Sequence, residues 1–289
     1  MNLKLLRAFA TLAELGSYHE AAEALCMTQP ALTKQIQSLE NLTGMTLFNR
    51  GRHGTKLTLC GAMLYSKSQE LLKHYDVFTE YTRRIQRGAV GELTLGFGIS
   101  SFQIAPRWVN LFREQYPDVE ISLNDIPSNV QCHRLLEGTL SAGFTRLPCT
   151  DQLKFQAIME ETLVLALPQG VHADPANIQP ILNKYPLLQI TPQRGRGLAE
   201  QVEQFLKENA LTGKPASAAD DIHTLLALVA EGNGIALLPA GVSHFLPTGV
   251  SLIKPMGKNI MWNIGIAWNP HIQDILRDNF LKMVISKKS

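Results

Sequence analysis

Apolar residues over the first forty positions recur with the period of an amphipathic helix. Leu6, Phe9, Ala10 and Ala13 are spaced by three or four residues and predict a core helix over about Leu3–Leu15. We expect these side chains to pack against neighbouring helices rather than to form a site.

Two further helices are predicted directly after the first, joined by a tight turn. Ser17 opens a capping box, because a glutamate follows three residues later. Thr28 is a favourable N-cap for the next helix, in which Leu32, Ile36 and Leu39 share one face. The three helices together predict a helix-turn-helix.

The opposite face of the third predicted helix is short, polar and mildly basic. It carries Pro30, Thr33, Lys34 and Gln37. Threonine and glutamine exchange hydrogen bonds with base edges, and lysine suits guanine or phosphate. Taken alone, this face also fits an ordinary solvated helix surface, so its interpretation depends on the segment that follows.

A basic loop with two glycines comes after the helices. It contains Arg50, Arg52, His53, Thr55 and Lys56. A flexible basic tip beside a groove-reading helix grips phosphates, which supplies affinity without sequence choice. The combination is typical of a winged helix-turn-helix, and it makes double-stranded DNA the first partner to consider.

A long helix without proline is predicted from Thr58 to about Arg87. Its apolar residues recur every seven positions, at Leu64, Leu71, Phe78 and Ile85. The alternate seam positions hold Ser68, Tyr75 and Thr82. We expect this helix to pair with a second copy of the chain in a homodimer. Burial against its own domain is the alternative.

The second half of the chain alternates strands and helices, which predicts parallel sheets with helical crossovers. The predicted strands are at 92–98, 119–123, 142–144, 163–168, 187–190, 234–238 and 262–268. The predicted helices are at 104–116, 130–137, 198–208, 222–230 and 272–284. Two such lobes joined by two crossings form a cleft, and clefts between lobes bind small molecules.

The predicted fold class is therefore α/β, with an N-terminal winged helix-turn-helix, a long linker helix and a two-lobed, periplasmic-binding-protein-like effector domain. The expected domain boundaries are 1–58, 59–90 and 91–289. Within the last domain, lobe I would comprise about 91–161 and 262–289, and lobe II about 162–261.

Charge and hydropathy restrict the partners further. Residues 1–58 hold six Lys and Arg against four Asp and Glu, and residues 59–90 hold five against three. The remainder holds sixteen against eighteen, so the positive surplus lies at the end predicted to bind DNA. Neither an apolar run of eighteen residues nor a signal-peptide pattern is present, so we expect a cytoplasmic protein without a membrane span.

The sequence contains no arrangement typical of an enzyme or a metal site. No nucleophile elbow, P-loop or dinucleotide-binding glycine set is present, and the histidines are scattered without ligand spacing. We therefore expect no catalytic residue, no metal and no cofactor. The four cysteines lack CxxC spacing and are expected to be reduced thiols.

These residues resemble the LysR-type transcriptional regulators over essentially the whole chain. The segments that carry the resemblance are TQPALTKQI at 28–36, LFNR at 47–50, LTLCG at 57–61, EGTLSAGF at 137–144 and EGNGIALLP at 231–239. The family usually has aspartate where this chain has Ser141, which weakens any role for an acid there. The resemblance implies a cytoplasmic, usually tetrameric protein that binds operator DNA as dimers and responds to a small effector. RNA polymerase is a further candidate partner.

The resemblance also assigns residues to the DNA interface. It implies groove contacts from Thr28, Gln29, Pro30, Thr33, Lys34 and Gln37. It implies contacts with the DNA backbone from Ser17, Arg50, Arg52 and Lys56.

Polar residues at the ends of predicted strands indicate an effector site. After the first strand, where a helix N-terminus would favour an anion, stand Ser100, Ser101 and Phe102. Ser128 and Arg146 follow the next two strands. The facing lobe offers Thr191, Arg194 and Arg196. Resemblance to the aromatic-degradation branch of the family places Ser100, Ser128, Arg146 and Thr191 near its ligand.

From these residues we expect a small organic effector that carries a carboxylate, held by hydroxyls, amides and an arginine. Simple N-capping is the alternative for Ser100 and Ser101. A solvated surface loop is the alternative for Arg194 and Arg196.

Two other functions compete with this interpretation. Cys132 and Cys149 lie seventeen residues apart, and some family members sense oxidants through such a pair, so a redox-sensing regulator is an alternative. Sequence alone does not show whether the two thiols approach each other. A free-standing solute-binding protein is the second alternative, but it would leave residues 1–87 unexplained.

Overall fold

In the computed structural model, which describes residues 2–51 and 54–286, the first three helices begin at side chains that cap them. The helices are α1 (Leu3–Leu15), α2 (Tyr18–Ala24) and α3 (Gln29–Thr43). Asn2, Ser17 and Thr28 each accept a hydrogen bond from a first-turn amide, at 3.0, 3.4 and 3.4 Å. These bonds satisfy amides that lack partners within the helix, and the three predicted helices are confirmed.

A two-stranded wing follows α3. It pairs β1 (Phe48–Gly51) with β2 (Gly54–Leu57) in antiparallel register. The amide of Thr55 donates to the carbonyl of Gly16 at 3.0 Å, which fixes the wing against the turn before α2. The carboxylate of Glu40 accepts from the amide of Leu47 at 2.7 Å and orders the chain between α3 and the wing.

The apolar faces of the three helices close over one core. Phe9, Leu12, Ile36, Leu39 and Leu47 are fully buried there. Each contributes about 1.5–3 kcal/mol by leaving water. The polar side of α3 is therefore turned outward.

The linker helix α4 (Leu59–Gln86) divides its apolar residues between two surroundings. The chain folds as two units, Met1–Ile85 and Gln86–Ser289, and α4 belongs almost wholly to the first. Leu64 packs against the helix-turn-helix core and Ser68 is buried, whereas Leu71, Phe78 and Ile85 are exposed. Leu64 is therefore partly covered by its own domain, which was the alternative interpretation, while Leu71, Phe78 and Ile85 remain exposed for the predicted pairing.

The second unit contains nine strands and six α-helices among the residues that the structure describes. Its strands are β3 (Gly91–Phe97), β4 (Val119–Asp125), β5 (Ala142–Arg146), β6 (Lys154–Pro168), β7 (Leu187–Ile190), β8 (Pro215–Ala219), β9 (Ala236–Pro239), β10 (Val250–Ile253) and β11 (Met261–Trp268). Its helices are α5 (Ile104–Gln115), α6 (Ser128–Glu137), α7 (Gln179–Lys184), α8 (Pro192–Glu208), α9 (Ile222–Ala230) and α10 (Ile275–Ser286).

One long strand connects the two lobes of this unit. The first half of β6 pairs with β11, and its second half pairs with β9 and β10, all antiparallel. On the far side of β11 lie β5, β3 and β4, and these three strands are mutually parallel as predicted. In the other lobe β7 and β8 are parallel, but the expected parallel arrangement was wrong for β6 and β9.

Two helices begin three or more residues away from their predicted starts, for identifiable reasons. Asp274 accepts from the amide of Arg277 at 2.9 Å and so caps α10, which begins at Ile275 rather than at 272. Helix α8 begins at Pro192 rather than at 198, since proline is well suited to the first helical turn. The sequence Arg194–Gly197 therefore lies inside α8 and not in a loop before it.

No helix among the described residues has the length and apolar character needed to cross a bilayer.

Candidate functional site

The outward face of α3 carries the predicted groove contacts. Gln29, Pro30, Lys34 and Gln37 are exposed, and Thr33 is half-exposed. The hydroxyl of Thr33 donates to the carbonyl of Gln29 at 3.0 Å, so its oxygen remains an acceptor facing outward.

The same face extends further along the helix than the sequence analysis assumed. Asn41 is exposed and follows Lys34 and Gln37 at helical spacing. It is a candidate contact that we missed, although the 3.6-residue period alone was enough to find it. An amide side chain at this position can both donate to and accept from a base edge.

The predicted contacts with the DNA backbone are placed unevenly. The oxygen of Ser17 is occupied as a helix cap, as is that of Thr28, which was predicted to contact the groove. Lys56 is exposed on β2, opposite Asn49 in the hairpin. Arg50 lies in β1, but its side chain is outside the description, and Arg52 lies outside the described residues.

A cavity of about 680 Å³ opens at the carboxyl ends of β3, β4 and β5. This volume suits a small organic ligand. The segments Gly98–Ser101, Asp125–Asn129 and Arg146–Thr150 line one side. Side chains of α8, Asp220–Ile222 and Trp262 line the other.

The residues after β3 divide into three roles. Ser100 lines the cavity and hydrogen-bonds the carboxyl group of Glu161. Ser101 is buried, and its hydroxyl donates to the carbonyl of Gly98 at 3.0 Å, so it serves as a cap, which was the alternative interpretation. Phe102 packs against Phe245, with ring centroids 4.9 Å apart, and is not among the described residues that line the cavity.

Arg146 spans the cavity from its position at the end of β5. Its Nη1 donates to the carbonyl of Gly197 at 2.6 Å, and its Nη2 donates to Oε1 of Gln201. The guanidinium lies over the ring of Trp262, 5.2 Å from the centroid. Burial lowers the pKa of Arg146, and the nearby charge of Glu200 opposes that shift. The group stays cationic, because an arginine begins from so high a pKa.

Ser128 supports Arg146 from the start of α6. Its hydroxyl accepts from the amide of Arg146 at 3.3 Å. Ser128 and Asn129, the first two residues of α6, both line the wall, and amides of a first helical turn lack partners within the helix.

The other predicted contacts in the second lobe are less available. The hydroxyl of Thr191 donates to Asp220 at 3.1 Å, and Thr191 is not among the described lining residues. Arg196 lines the cavity but pairs with Glu200 at 2.9 Å, with both side chains mostly exposed. The side chain of Arg194 is outside the description.

Acidic residues outnumber arginines among the described lining residues. The described lining contains four acidic residues, Asp125, Glu200, Asp220 and Asp221, and two arginines, Arg146 and Arg196. Hydrogen bonds from the amide and hydroxyl of Thr224 lower the pKa of Asp221, which caps α9. Any selection of an anion must therefore come from local donors and not from the net charge of the wall.

Two cysteines meet at the edge of the cavity. Cys132 on α6 and Cys149 after β5 have their sulfur atoms 2.6 Å apart, and both line the wall. The hydrogen bond from Cys149 lowers the pKa of Cys132, and the same bond together with burial raises the pKa of Cys149. Cys132 is thus the thiol that ionises first.

Glu161 contacts the cavity wall through Ser100, and the sequence analysis did not identify it. It is buried on β6, where the amides of Thr162 and Gly241 donate to it at 2.8 and 3.2 Å. Burial raises the pKa of Glu161, and these amide donors partly offset that shift. Its only sequence signal is an acid placed two residues before the continuous apolar run 163–167.

No cluster of three or more His, Cys, Asp or Glu side chains suited to a metal occurs within 2–51 and 54–286.

Comparison with known proteins decides the family. Residues 3–62 match the family model described as bacterial regulatory helix-turn-helix protein, lysR family. Residues 86–284 match the LysR substrate binding domain. The chain belongs to the LysR family. As a member, it is a DNA-binding transcriptional regulator with an effector-binding domain, and its relatives are named as regulators rather than as enzymes.

Similar proteins cover nearly the whole length of this LysR-family chain. The regulator BenM of Acinetobacter baylyi is 29% identical over 92% of this chain and 90% of its own. The regulator BudR of Raoultella terrigena is 29% identical over 98% of this chain and 100% of its own. The crystal structure of CbnR, a LysR family transcriptional regulator, has a TM-score of 0.82 at 25% identity, covering 98% and 100% of the two chains.

Proposed function

We propose that this regulator reads operator DNA with the outward face of α3, grips the DNA backbone with its wing, and is controlled by a small carboxylate in the cavity. The observation that carries the proposal is the division of α3 into two faces. Leu32, Ile36 and Leu39 are fully buried, so the polar residues opposite them are presented to solvent as a row. We further propose that it acts in the cytoplasm, where operator DNA is accessible.

Within the DNA interface, we assign different roles to helix and wing. Gln29, Thr33, Lys34 and Gln37 read base edges, with Thr28 and Pro30 at the start of the helix, because amide and hydroxyl groups discriminate between bases. Ser17, Lys56, Arg50 and Arg52 contact phosphates. Base contacts set specificity, whereas phosphate contacts set affinity and its salt dependence.

Substitutions on the two elements test this division. Gln29→Ala should weaken binding to a selected operator by about 1–3 kcal/mol and leave random DNA nearly unchanged. Lys56→Ala should weaken both, and should reduce the slope of log K against log salt by about 0.9 for each subunit that contacts DNA.

Lys67→Ala is the matched control, since it removes the same charge from the exposed surface of α4. Fluorescence anisotropy over a salt series measures all three variants. If Gln29→Ala weakens binding to operator and to random DNA by the same factor, as Lys56→Ala should, the assignment of roles is wrong.

The carboxylate assignment is supported by donors that converge on the cavity. Arg146, Ser100 and the first residues of α6 all line the cavity, and they carry donors of the kinds that bind carboxylate oxygens. Calorimetric titration with a set of carboxylates and their neutral amides tests it. Carboxylates should bind and amides should not. Binding of neutral compounds alone would contradict the assignment.

We also propose that the chain forms dimers through α4 and tetramers beyond that. The exposed apolar residues of α4 from Leu71 onward support it, because a monomer rarely leaves such a row in water. RNA polymerase is a further proposed partner during activation.

A thiol-based switch is the second candidate function. The contact between Cys132 and Cys149 supports it, together with their position at the cavity wall. The thiolate of Cys132 would attack hydrogen peroxide and release hydroxide, leaving a sulfenic acid. The thiol of Cys149 would then attack that sulfur and lose its proton, forming a disulfide and releasing water.

Single serine variants of the two cysteines test the switch in cells. Peroxide should change reporter expression with the unaltered chain and not with Cys132→Ser or Cys149→Ser. Cys60→Ser is the control, because Cys60 is exposed on α4 and has no thiol neighbour that the structure describes. An unaltered peroxide response in both variants would eliminate this function.

A further inference from the structure

We propose that Arg146 is a two-state latch between the lobes, that Gln201 is the residue that positions it, and that an effector carboxylate binds by taking Arg146 away from Gln201. The inference rests on the proposed carboxylate effector and names how that site would be regulated. It starts from the contacts that Arg146 already makes across the cavity.

Arg146 begins in one lobe and finds its partners in the other. It leaves β5 and donates to the carbonyl of Gly197 and to the side chain of Gln201, both on α8. Two of the guanidinium's donors are therefore committed to α8. The predicted carboxylate-binding arginine is thus also a connection between β5 and α8.

Gln201 also connects Arg146 to Asn259, which lies in the segment where the chain crosses between the lobes. Gln201 is buried, with 2% of its surface exposed. Its Oε1 accepts from Arg146, while its Nε2 donates to the carbonyl of Asn259 at 2.6 Å. Asn259 lies just before β11 and has a left-handed backbone, with φ of 55°. One amide side chain thereby ties Arg146 to the segment that leads into the interlobe sheet.

A carboxylate changes the partners of Arg146 because it is the stronger acceptor. Hydrogen bonds between two charged groups are shorter and stronger than those to a neutral amide, and a carboxylate can accept two of them in parallel. When Arg146 turns to the ligand, Oε1 of Gln201 loses its partner in a buried position, which is unfavourable. The two arrangements are therefore discrete, and ligand binding must overcome the latch.

The coupling has a definite sign. A stronger bond between Arg146 and Gln201 lowers carboxylate affinity and a weaker bond raises it, because affinity falls as the population of the latched state rises. The ligand in turn frees α8 from Arg146 and leaves the side chain of Gln201 held only by the carbonyl of Asn259. The two segments that should respond to the ligand are thus Gly197–Gln201 and Lys258–Asn259.

Two substitutions of Gln201 test the latch in opposite directions. Gln201→Glu places a charge beside Arg146 and should weaken acetate, benzoate and succinate binding about tenfold or more. Gln201→Met removes the acceptor at similar volume and should strengthen binding about threefold or more. Gln204→Glu and Gln204→Met are the controls, because Gln204 is exposed one turn along the same helix. They should leave affinity unchanged.

Calorimetry and amide hydrogen exchange of the full chain give the readouts. Without ligand, Gln201→Met should speed exchange in both responding segments, and Gln204→Met should not. In the unaltered chain, a binding carboxylate should have the same effect.

The outcomes separate the two proposals. If carboxylates bind but the Gln201 and Gln204 variants behave alike, the latch is overturned and the carboxylate effector stands. If no carboxylate binds the unaltered chain, the effector assignment fails, and the latch as a ligand-operated device fails with it.

Discussion

A methyl group added at Gly61 should separate the linker helix from the wing. Gly61 is buried in the first turn of α4, and a Cβ there would lie 2.2 Å from the carbonyl oxygen of Leu47. That oxygen also accepts from the amide of Thr58 at 3.0 Å, so neither backbone segment can move without breaking a bond. The substitution Gly61→Ala therefore perturbs the joint between two elements of the DNA-binding unit.

The expected cost follows from three opposing contributions. Overpacking costs about 1–3 kcal/mol. Loss of the bond from Thr58 adds about 1 kcal/mol. The better helix propensity of alanine returns about 1 kcal/mol. The net loss of about 2 kcal/mol corresponds to a melting temperature lower by roughly 8–16 °C for a unit of this size.

The chain supplies its own reporter for the assay. The second unit contains all three tryptophans, Trp108, Trp262 and Trp268. Tryptophan fluorescence therefore reports the unfolding of that unit alone, whereas far-ultraviolet circular dichroism reports the unfolding of both units. Gly61→Ala should lower the circular-dichroism transition and leave the fluorescence transition in place. Gly98→Ala is the control, because the added methyl meets nothing within 4 Å. Equal effects of Gly61→Ala on both transitions, or none, would refute the reasoning.

Three further predictions concern other parts of the molecule. Burial raises the pKa of Glu161, so the free energy of unfolding should fall as the pH rises from the ordinary carboxyl pKa of 4.5 to the raised pKa. Glu161→Gln should remove that pH dependence, which urea titrations followed by tryptophan fluorescence measure. Phe78→Asp should shift the sedimentation equilibrium toward monomer, while Lys73→Asp, on the polar side of α4, should not; a shift in both would point to misfolding rather than to an interface. At neutral pH iodoacetamide should modify Cys132 before Cys149, because the lowered pKa gives it more thiolate, and the reverse order in peptide mass spectra would contradict the assignment of the two thiols.

The sequence was sufficient for features that depend on local chemistry. Caps such as Ser17 and Thr28 act within a few residues, so their helices were predicted closely. The row of residues on α3 follows from helical periodicity alone. The division of α4 was less accessible, because only the folded core shows that Leu64 packs inside the first unit while Leu71 does not.

The effector site depends on contacts that join distant parts of the chain. Arg146 lines the cavity, but its partners lie more than fifty residues away, so its engagement with Gln201 left no local signal. The meeting of Cys132 with Cys149 likewise depends on where α6 sits against the end of β5. Strand direction in β6 was missed for the same reason, since each half of this strand pairs with strands that follow much later in the sequence.

Methylation interference on an operator selected from random duplexes tests directly whether α3 reads the major groove. Dimethyl sulfate methylates guanine N7 in the major groove and adenine N3 in the minor groove, so one experiment compares both grooves. If α3 reads the major groove, guanine N7 methylation within either of two half-sites should abolish binding. The half-sites should be separated by a whole number of helical turns, each about 10 base pairs. Interference confined to adenine N3, with guanine N7 methylation tolerated throughout, would contradict this prediction.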